Sequence, residues 1–460
     1  MNQHHNLIWR CVYRAEALII VTIVNNYAKN KDSPFFQFQG QAVKILRNLA
    51  LPPSTLKNLL TLFAVGLLFW TSITLPLPIL PTYIQDLGAT TLQISIVMGC
   101  FAAGLLLSRT KLGRLADYRG RKIVLLLGSF VAATAPLGYL AVDSLPTLMV
   151  IRAFHGTSVA AFTTGFSTLA IDFSPPKQKG QIIGYMSLAL PIGMALGPAL
   201  GGYIAEWAGY TTLFIGAGIV GTIALILAWQ LKEAHQLNTH KSASQTNSRK
   251  NVSSRSLREL INTRSLRIPA VMMMQIGMAF GTIITFLPLY IKDIGIDFNV
   301  GLFYTAAAIA SFSVRLFAGK ASDIYGRGIF ITTSLFFYLG SMLLLYSAHT
   351  PTAFLMAAVL EGTGAGILIP TTVAMVSDRS TPDEQGQVYS FCIGGFDLGF
   401  AMTGLVFGVL STALDYRSIY LISAAVVLQA IILFTSLSSK DIAHSLRFAV
   451  GGERDIYVLK

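Results

Sequence analysis

Runs of 18 to 25 nearly charge-free apolar residues recur along most of this chain, and they restrict its fold more than any motif does. A helix of that length crosses ~30 Å of hydrocarbon. Lipid offers a backbone amide no partner, so a helix that satisfies its own hydrogen bonds is the form such runs can take there. Composition agrees: 53% of the 460 residues are hydrophobic and 12% are charged, roughly half the charged fraction of a soluble domain. Twelve spans are predicted, at 59–80, 93–110, 123–142, 146–170, 182–203, 211–231, 268–290, 300–317, 329–347, 353–376, 388–411 and 418–438.

The placement of Lys and Arg orients these spans. With the N-terminus inside, the inward tails and loops hold 30 of the 34 basic residues; Lys292 and Arg417 lie on the other side, and Arg152 and Arg315 fall within spans. The expected location is therefore the cell (inner) membrane, multi-pass, with both termini cytoplasmic. The net charge of +13 follows from these loops rather than from a nucleic-acid surface. Cys100 and Cys392 lie in apolar runs and Cys11 in the N-terminal tail, with no metal-ligand or disulfide spacing.

The chain repeats itself. Between the second and third spans runs GRLADYRGRK, and between the eighth and ninth GKASDIYGRG. Gly113, Asp117, Gly120 and Arg121 match Gly319, Asp323, Gly326 and Arg327, each 206 residues on. His155-Gly156-Thr157 matches Glu361-Gly362-Thr363 at the same offset, and Asp172, Gly180 and Gln181 match Asp378, Gly386 and Gln387. The ends of the first and seventh spans agree with a shift of one, LPTYIQDLG at 80–88 against LPLYIKDIG at 287–295. Six spans per copy is an even number, so the copies share one orientation, related by an axis along the membrane normal.

The fold class expected is thus an all-α membrane protein, with 12 transmembrane helices in two six-helix bundles related by that pseudo-twofold. The divisions are an N-terminal cytoplasmic extension at 1–56, a first bundle at 57–231, a polar cytoplasmic linker at 232–267, a second bundle at 268–438 and a cytoplasmic tail at 439–460. The extension is expected to be poorly ordered; a surface-lying helix and a signal peptide are the other readings of its short apolar stretch.

From about 57 to 438 the chain resembles the major facilitator superfamily on three motifs. The first is the loop motif Gly113, Leu115, Asp117, Gly120, Arg121 and Lys122, with its second copy. The second is the arginine motif of span four, Leu148, Arg152 and Gly156. The third is the glycine–proline motif of span five, Gly184, Gly193, Gly197, Pro198, Gly201 and Gly202. The resemblance implies that the loop motif latches the outward-facing state, and that the complete span-five motif belongs to exporters exchanging substrate for protons. On the residues alone, Asp117 can pair with Arg121 or with a neighbouring helix N-terminus, and the small residues at 193, 197 and 201 let another backbone approach. Pro198 permits a kink. Gly399 and Gly408 match Gly193 and Gly202, but Gly404 stands where Pro198 does, so the two halves are not equivalent.

Charges within a bilayer are costly and mark functional positions. Arg152, His155, Glu361 and Asp397 lie well within spans, and Arg315 lies near an inner end. As repeat mates, His155 and Glu361 are expected to face each other across the pseudo-twofold. Glu361, Asp397, Arg152 and His155 are the proton-coupling candidates, against the alternative of a static buried ion pair. Trp70, Phe162, Tyr389 and Phe396 are candidate lining of a substrate cavity.

These features point to a secondary active transporter exporting a small amphiphilic or drug-like molecule in exchange for protons. The expected partners are that substrate, protons and the lipid bilayer, with the chain monomeric. No cofactor, metal or nucleic acid is implied, and no nucleophile elbow, metal cluster or phosphate loop points to an enzyme. Two alternatives remain open: a proton symporter importing a sugar or organic acid, and a non-transporting membrane sensor on the same fold.

Overall fold

The computed structural model describes residues 52–142, 144–175, 178–231, 257–381 and 384–459. Most of the expected extension and linker therefore lies outside the described residues. The helices are α1 (Pro53–Thr74), α2 (Leu80–Asp86), α3 (Thr91–Arg119), α4 (Arg121–Leu140), α5 (Leu145–Phe173), α6 (Lys179–Met186), α7 (Ala189–Gln230), α8 (Leu257–Asn262), α9 (Arg264–Asp293), α10 (Val300–Tyr325), α11 (Arg327–Ser347), α12 (Pro351–Asp378), α13 (Gln385–Leu410), α14 (Tyr416–Leu437) and α15 (Ile442–Ala449). There is no strand among the described residues.

Among the described residues, ten helical stretches are long and apolar enough to cross a membrane. One of them, Ile182–Gln230, has 49 residues. At ~1.5 Å per residue it is more than twice as long as one crossing needs. It breaks at Gly209, whose φ of 77° and ψ of 177° leave the helical region. The expected spans 182–203 and 211–231 are thus one interrupted helix, joined by a single residue rather than a loop. A further helix, α5, has 29 residues and carries Arg152, His155 and a series of Ser and Thr, which lower its mean hydropathy without shortening it. Counting both limbs around Gly209, and α5, twelve crossings result.

The two faces of the molecule end their helices differently. On the face bearing 113–122 and 319–328, the basic face, α3 turns into α4 through Gly120 alone and α10 into α11 through Gly326 alone. Their φ angles of 104° and 100° belong to glycine. On the far face polar N-caps start the spans. Thr90 and Gln93 form a capping box on α3, Asn299 caps α10, Thr350 caps α12 and Asp415 caps α14.

Two stretches depart from expectation. Part of the linker is helical, as α8 and the start of α9. The tail forms α15 and folds back on the basic end of the second bundle, with Phe448 meeting Phe434 at 6.0 Å between ring centroids.

Candidate functional site

The span-five glycines show what the small residues are for. A Cβ on Gly193, Gly197 or Gly201 would run into the backbone of α1 at Leu67, Thr71 and Leu75. Thr74 Oγ1 donates to Gly193 O at 3.1 Å across the same contact. Gly202 instead faces the side chain of Asn299, and the carbonyl of Pro198 lies against Gly301. The motif therefore serves two neighbours, α1 within its bundle and α10 in the other. Helix α7 runs on through Pro198, and a Cβ on Gly184 would meet nothing within 4 Å. In the second half Gly399 packs on the backbone of α9 at Met274, as Gly193 does on α1.

The bundles close on each other at the far face. One seam joins α7 to α10. Besides Pro198 and Gly301 it contains a hydrogen bond from Thr305 Oγ1 to Ala195 O at 3.2 Å and one from Asn299 Nδ2 to Glu206 Oε2 at 3.1 Å. The other seam joins α3 to α13, where Gly404 and Gly408 meet Ser95 and Gly99 meets the carbonyl of Ala401. Above both, Lys292 Nζ reaches Asp86 Oδ1 at 2.7 Å, and Tyr210, the residue after the Gly209 break, donates to Asp86 Oδ2 at 2.5 Å.

Deeper in the α3–α13 seam Arg109 Nη2 lies 2.8 Å from Asp397 Oδ2, with the side chains 27% and 13% exposed. Asp397 is 12 residues into α13, ~18 Å along its axis. Sequence reasoning grouped Arg109 with the basic loops because it ends a predicted span. Helix α3 in fact continues to Arg119, so Arg109 sits nearly three turns from the helix end and its side chain serves the interior. Tyr389, one of the expected cavity residues, is half exposed on the same helix as Asp397 and close enough to feel both charges.

The repeat mates His155 and Glu361 are both buried, and each finds a polar contact inside its own bundle. His155 Nδ1 bonds the hydroxyl of Tyr139 on α4 at 2.8 Å. Glu361 bonds the hydroxyl of Tyr338 on α11. Each thus meets a tyrosine of its own bundle, on the helix preceding it in the chain, while His155 Nε2 has no hydrogen-bond partner among the described residues. Arg152 joins the first cluster: its Nη1 lies 3.4 Å from the Tyr139 hydroxyl and its guanidinium 4.5 Å from the centre of the Phe101 ring. Its Nε has no hydrogen-bond partner among the described residues. The arrangement leaves a buried cation held by a ring face and a hydroxyl, a site that favours an incoming anion or the loss of a nearby proton.

The expected cavity lining divides. Phe162 is fully buried and stacked on Phe69, with ring centroids 3.6 Å apart, so it is core and not lining. Trp70 and Phe396 are half-buried, Phe396 beside Phe280 at 5.5 Å. Gln275, unnoticed in the sequence, is buried in the middle of α9 with its Oε1 unbonded among the described residues.

At the loop motifs, Arg121 pairs with Asp172 at the end of α5, and Arg327 pairs with Asp378 at the end of α12, the latter at 3.3 Å. Asp172 and Asp378 are the mates that the 206 offset had already picked out. Asp323 also pairs with Arg327 one turn away; the side chain of Asp117 lies outside the described residues. Gly113 and Gly319 have open space around them, and Lys122 lies beside a surface pocket with Trp229 and Gln230. Among the described residues, no group of three or more His, Cys, Asp and Glu could hold a metal ion.

Comparisons with known proteins accord with this geometry. A family model, the Major Facilitator Superfamily, matches residues 62–339 and 297–449. An MFS-type transporter of Methanocaldococcus jannaschii is 24% identical over 348 residues, 75% of this chain and 89% of its own. The quinolone resistance protein NorA of Staphylococcus aureus is 30% identical over 172 residues, 37% of this chain; the match spans 44% of NorA, less than half its length. Among solved structures, the nucleoside transporter NupG superposes with a TM-score of 0.66 at 14% identity, covering 82% of this chain and 98% of that one. A bacterial homologue of the human lysosomal transporter Spinster, inward-facing and unoccupied, gives 0.64 at 12% identity, with 87% and 97% covered. With twelve helices in two like-oriented halves and a family match across most of its length, the chain belongs to the Major Facilitator Superfamily of transporters.

Proposed function

We propose that this protein is a proton-coupled exporter of a small amphiphilic molecule, working by alternating access from the cell (inner) membrane as a monomer, with its basic face and both termini in the cytoplasm. The observation that carries the reading is the Arg109–Asp397 pair, an ionisable contact bridging the two bundles at the α3–α13 seam. Protonation of Asp397 removes the attraction across that seam, and release restores it. A proton therefore biases which face is closed, and that is what coupling requires. Closure at the far face supports a state open towards the cytoplasm, from which an exporter loads. The loop motifs, with Arg121 and Arg327 tied to Asp172 and Asp378, are latch elements on the basic face. Glu361 and the Arg152–His155 pair are the second and third proton candidates; half-buried Trp70 and Phe396 and exposed Tyr389 are the proposed substrate contacts.

Direction rests on the span-five motif and on the similarity to NorA over 37% of the chain. Everted vesicles energised with an imposed proton gradient, loaded with a quinolone or an amphiphilic fluorescent dye, test it. Accumulation that dissipates the gradient and disappears in Asp397→Asn is the expected result. Uptake by intact cells, abolished by an uncoupler, would reverse the direction.

A further inference from the structure

The tail after α14 is held far more firmly than a trailing segment needs. Arg379, which ends α12, is fully buried and pairs with Asp455 at 2.7 Å. The same guanidinium donates to Ser265 O at 2.7 Å and to Ser438 O at 3.1 Å, tying the ends of α9, α12 and α14 to the tail. Leu459 N donates to Asp378 O at 3.0 Å, and the carbonyl of Phe448 seats on Gly328. Helix α15 is thereby fixed in orientation.

That fixed orientation exposes an apolar face. Ser445, Phe448 and Ala449 turn into the bundle and are buried, whereas Ile442, Leu446 and Val450, one helical turn apart, are 68%, 52% and 58% exposed. At 100° per residue these three and Ala443 cover a continuous arc of about 100°, with Arg447 at its edge. The helix is therefore apolar on two sides and polar only between them. A helix facing water on its outer side has no reason to carry that second stripe. Four residues separate it from the end of α14, so it lies at the level where the span leaves the hydrocarbon. That span also exposes apolar side chains towards its end, Ile432 and Leu437.

We infer that α15 is an interfacial helix whose Ile442, Leu446 and Val450 face beds in the lipid of the basic-face leaflet, with the Arg379–Asp455 pair holding it there. The occupant is acyl chain just below the headgroups, and Arg447 is placed to reach the phosphates.

The test uses the full chain with Cys11, Cys100 and Cys392 replaced, reconstituted in phosphatidylcholine–phosphatidylglycerol vesicles at 3:1. Leu446→Cys, Ile442→Cys and Val450→Cys each carry an environment-sensitive fluorophore, with Arg454→Cys as the aqueous control. Nitroxide-labelled lipid in both leaflets should quench the three stripe positions several-fold more than position 454, and aqueous iodide should do the reverse. Iodide quenching of 446 as strong as that of 454 would overturn the inference. Protection of the stripe from both quenchers would also overturn it, because protein and not lipid would then cover the face. A further Arg379→Ala change should equalise the stripe and the control; a stripe still quenched by lipid would sink the anchoring part. None of these readouts depends on substrate or direction of transport.

Discussion

The two seams between the bundles are images of each other under the 206-residue offset, yet they are built differently. Pro198 meets Gly301 in one, and their mates Gly404 and Ser95 meet in the other; Ala195 meets Thr305 in one, and their mates Ala401 and Gly99 in the other. The need for a close backbone approach is the same at both, but the glycine that satisfies it sits on span eight in the first and on span eleven in the second. Charge breaks the symmetry further. Arg109 and Arg315 are mates, but the mate of Asp397 is Pro191. The α3–α13 seam thus carries an ion pair, while Arg315 has an Nε without a hydrogen-bond partner among the described residues. Among the described residues the ion pair belongs to one seam alone; the other is held by backbone contacts and hydrogen bonds, one of them to the exposed Glu206 carboxylate.

The largest expected effect comes from deleting that charge difference. Asp397→Asn leaves Arg109 partly buried without its counterion. The pair lies between exposed and fully buried cases, so its loss shifts the closed–open balance by about 2 kcal/mol, or about thirtyfold. Proton-driven transport in everted vesicles should fall by at least that factor, and the exchanged pair Arg109→Asp with Asp397→Arg should recover part of it. Arg315→Gln is the control: near-normal transport supports the comparison, and a loss equal to that of Arg109→Gln would erase it.

The glycine contacts rank next. Gly301→Val and Gly404→Val each insert a side chain where even a Cβ would run into a carbonyl. Overpacking of this kind costs about 1–3 kcal/mol. Both variants should raise labelling of a far-face cysteine placed at Asp297 by a membrane-impermeant maleimide. Thr305→Ala removes one hydrogen bond, about 1 kcal/mol, and should raise it less. An effect from only one glycine variant would show that the seams do not open together.

The contacts at the seams also show what the sequence could reveal. The repeat, the span count and the arginine–aspartate mates at the loop motifs are local or periodic, so they were legible. The true reach of α3 was not, because a hydropathy minimum at Arg109 looks like a helix end although the helix runs ten residues further. Burial partners were equally hidden. Tyr139 and Tyr338 lie 16 and 23 residues before His155 and Glu361, spacings that no repeat predicts, and Phe162 resembles cavity lining until Phe69 is seen stacked on it. Ordering of the tail depended on Arg379 and Asp455, 76 residues apart.

Hairpin glycines give a smaller and symmetric effect. Gly120→Ala and Gly326→Ala each force a Cβ into a left-handed conformation, costing about 1–2 kcal/mol each. Similar drops in melting temperature for the two variants are expected. A difference between them would mean that one loop rearranges more freely, extending the seam asymmetry to the latches.

The smallest effect lies at the far face, where Asp86 and Lys292 bridge the halves above both seams. The pair is nearly half exposed, so it contributes at most about 1 kcal/mol. Burial raises the Asp86 carboxyl, but the bonds from Lys292 and Tyr210 outweigh burial and leave it below the ordinary value of 3.8. A carboxyl depressed in the closed state supports closure fully above that ordinary value and withdraws support only as pH falls through the depressed one. The effect of Asp86→Asn on far-face labelling should therefore stay constant as pH changes between about 5.5 and 8, and it should shrink as salt screens the exposed pair. A steep pH response in that window that vanishes in Asp86→Asn would move the proton-sensitive contact from the α3–α13 seam to the far-face bridge, and the comparison of seams would lose its meaning.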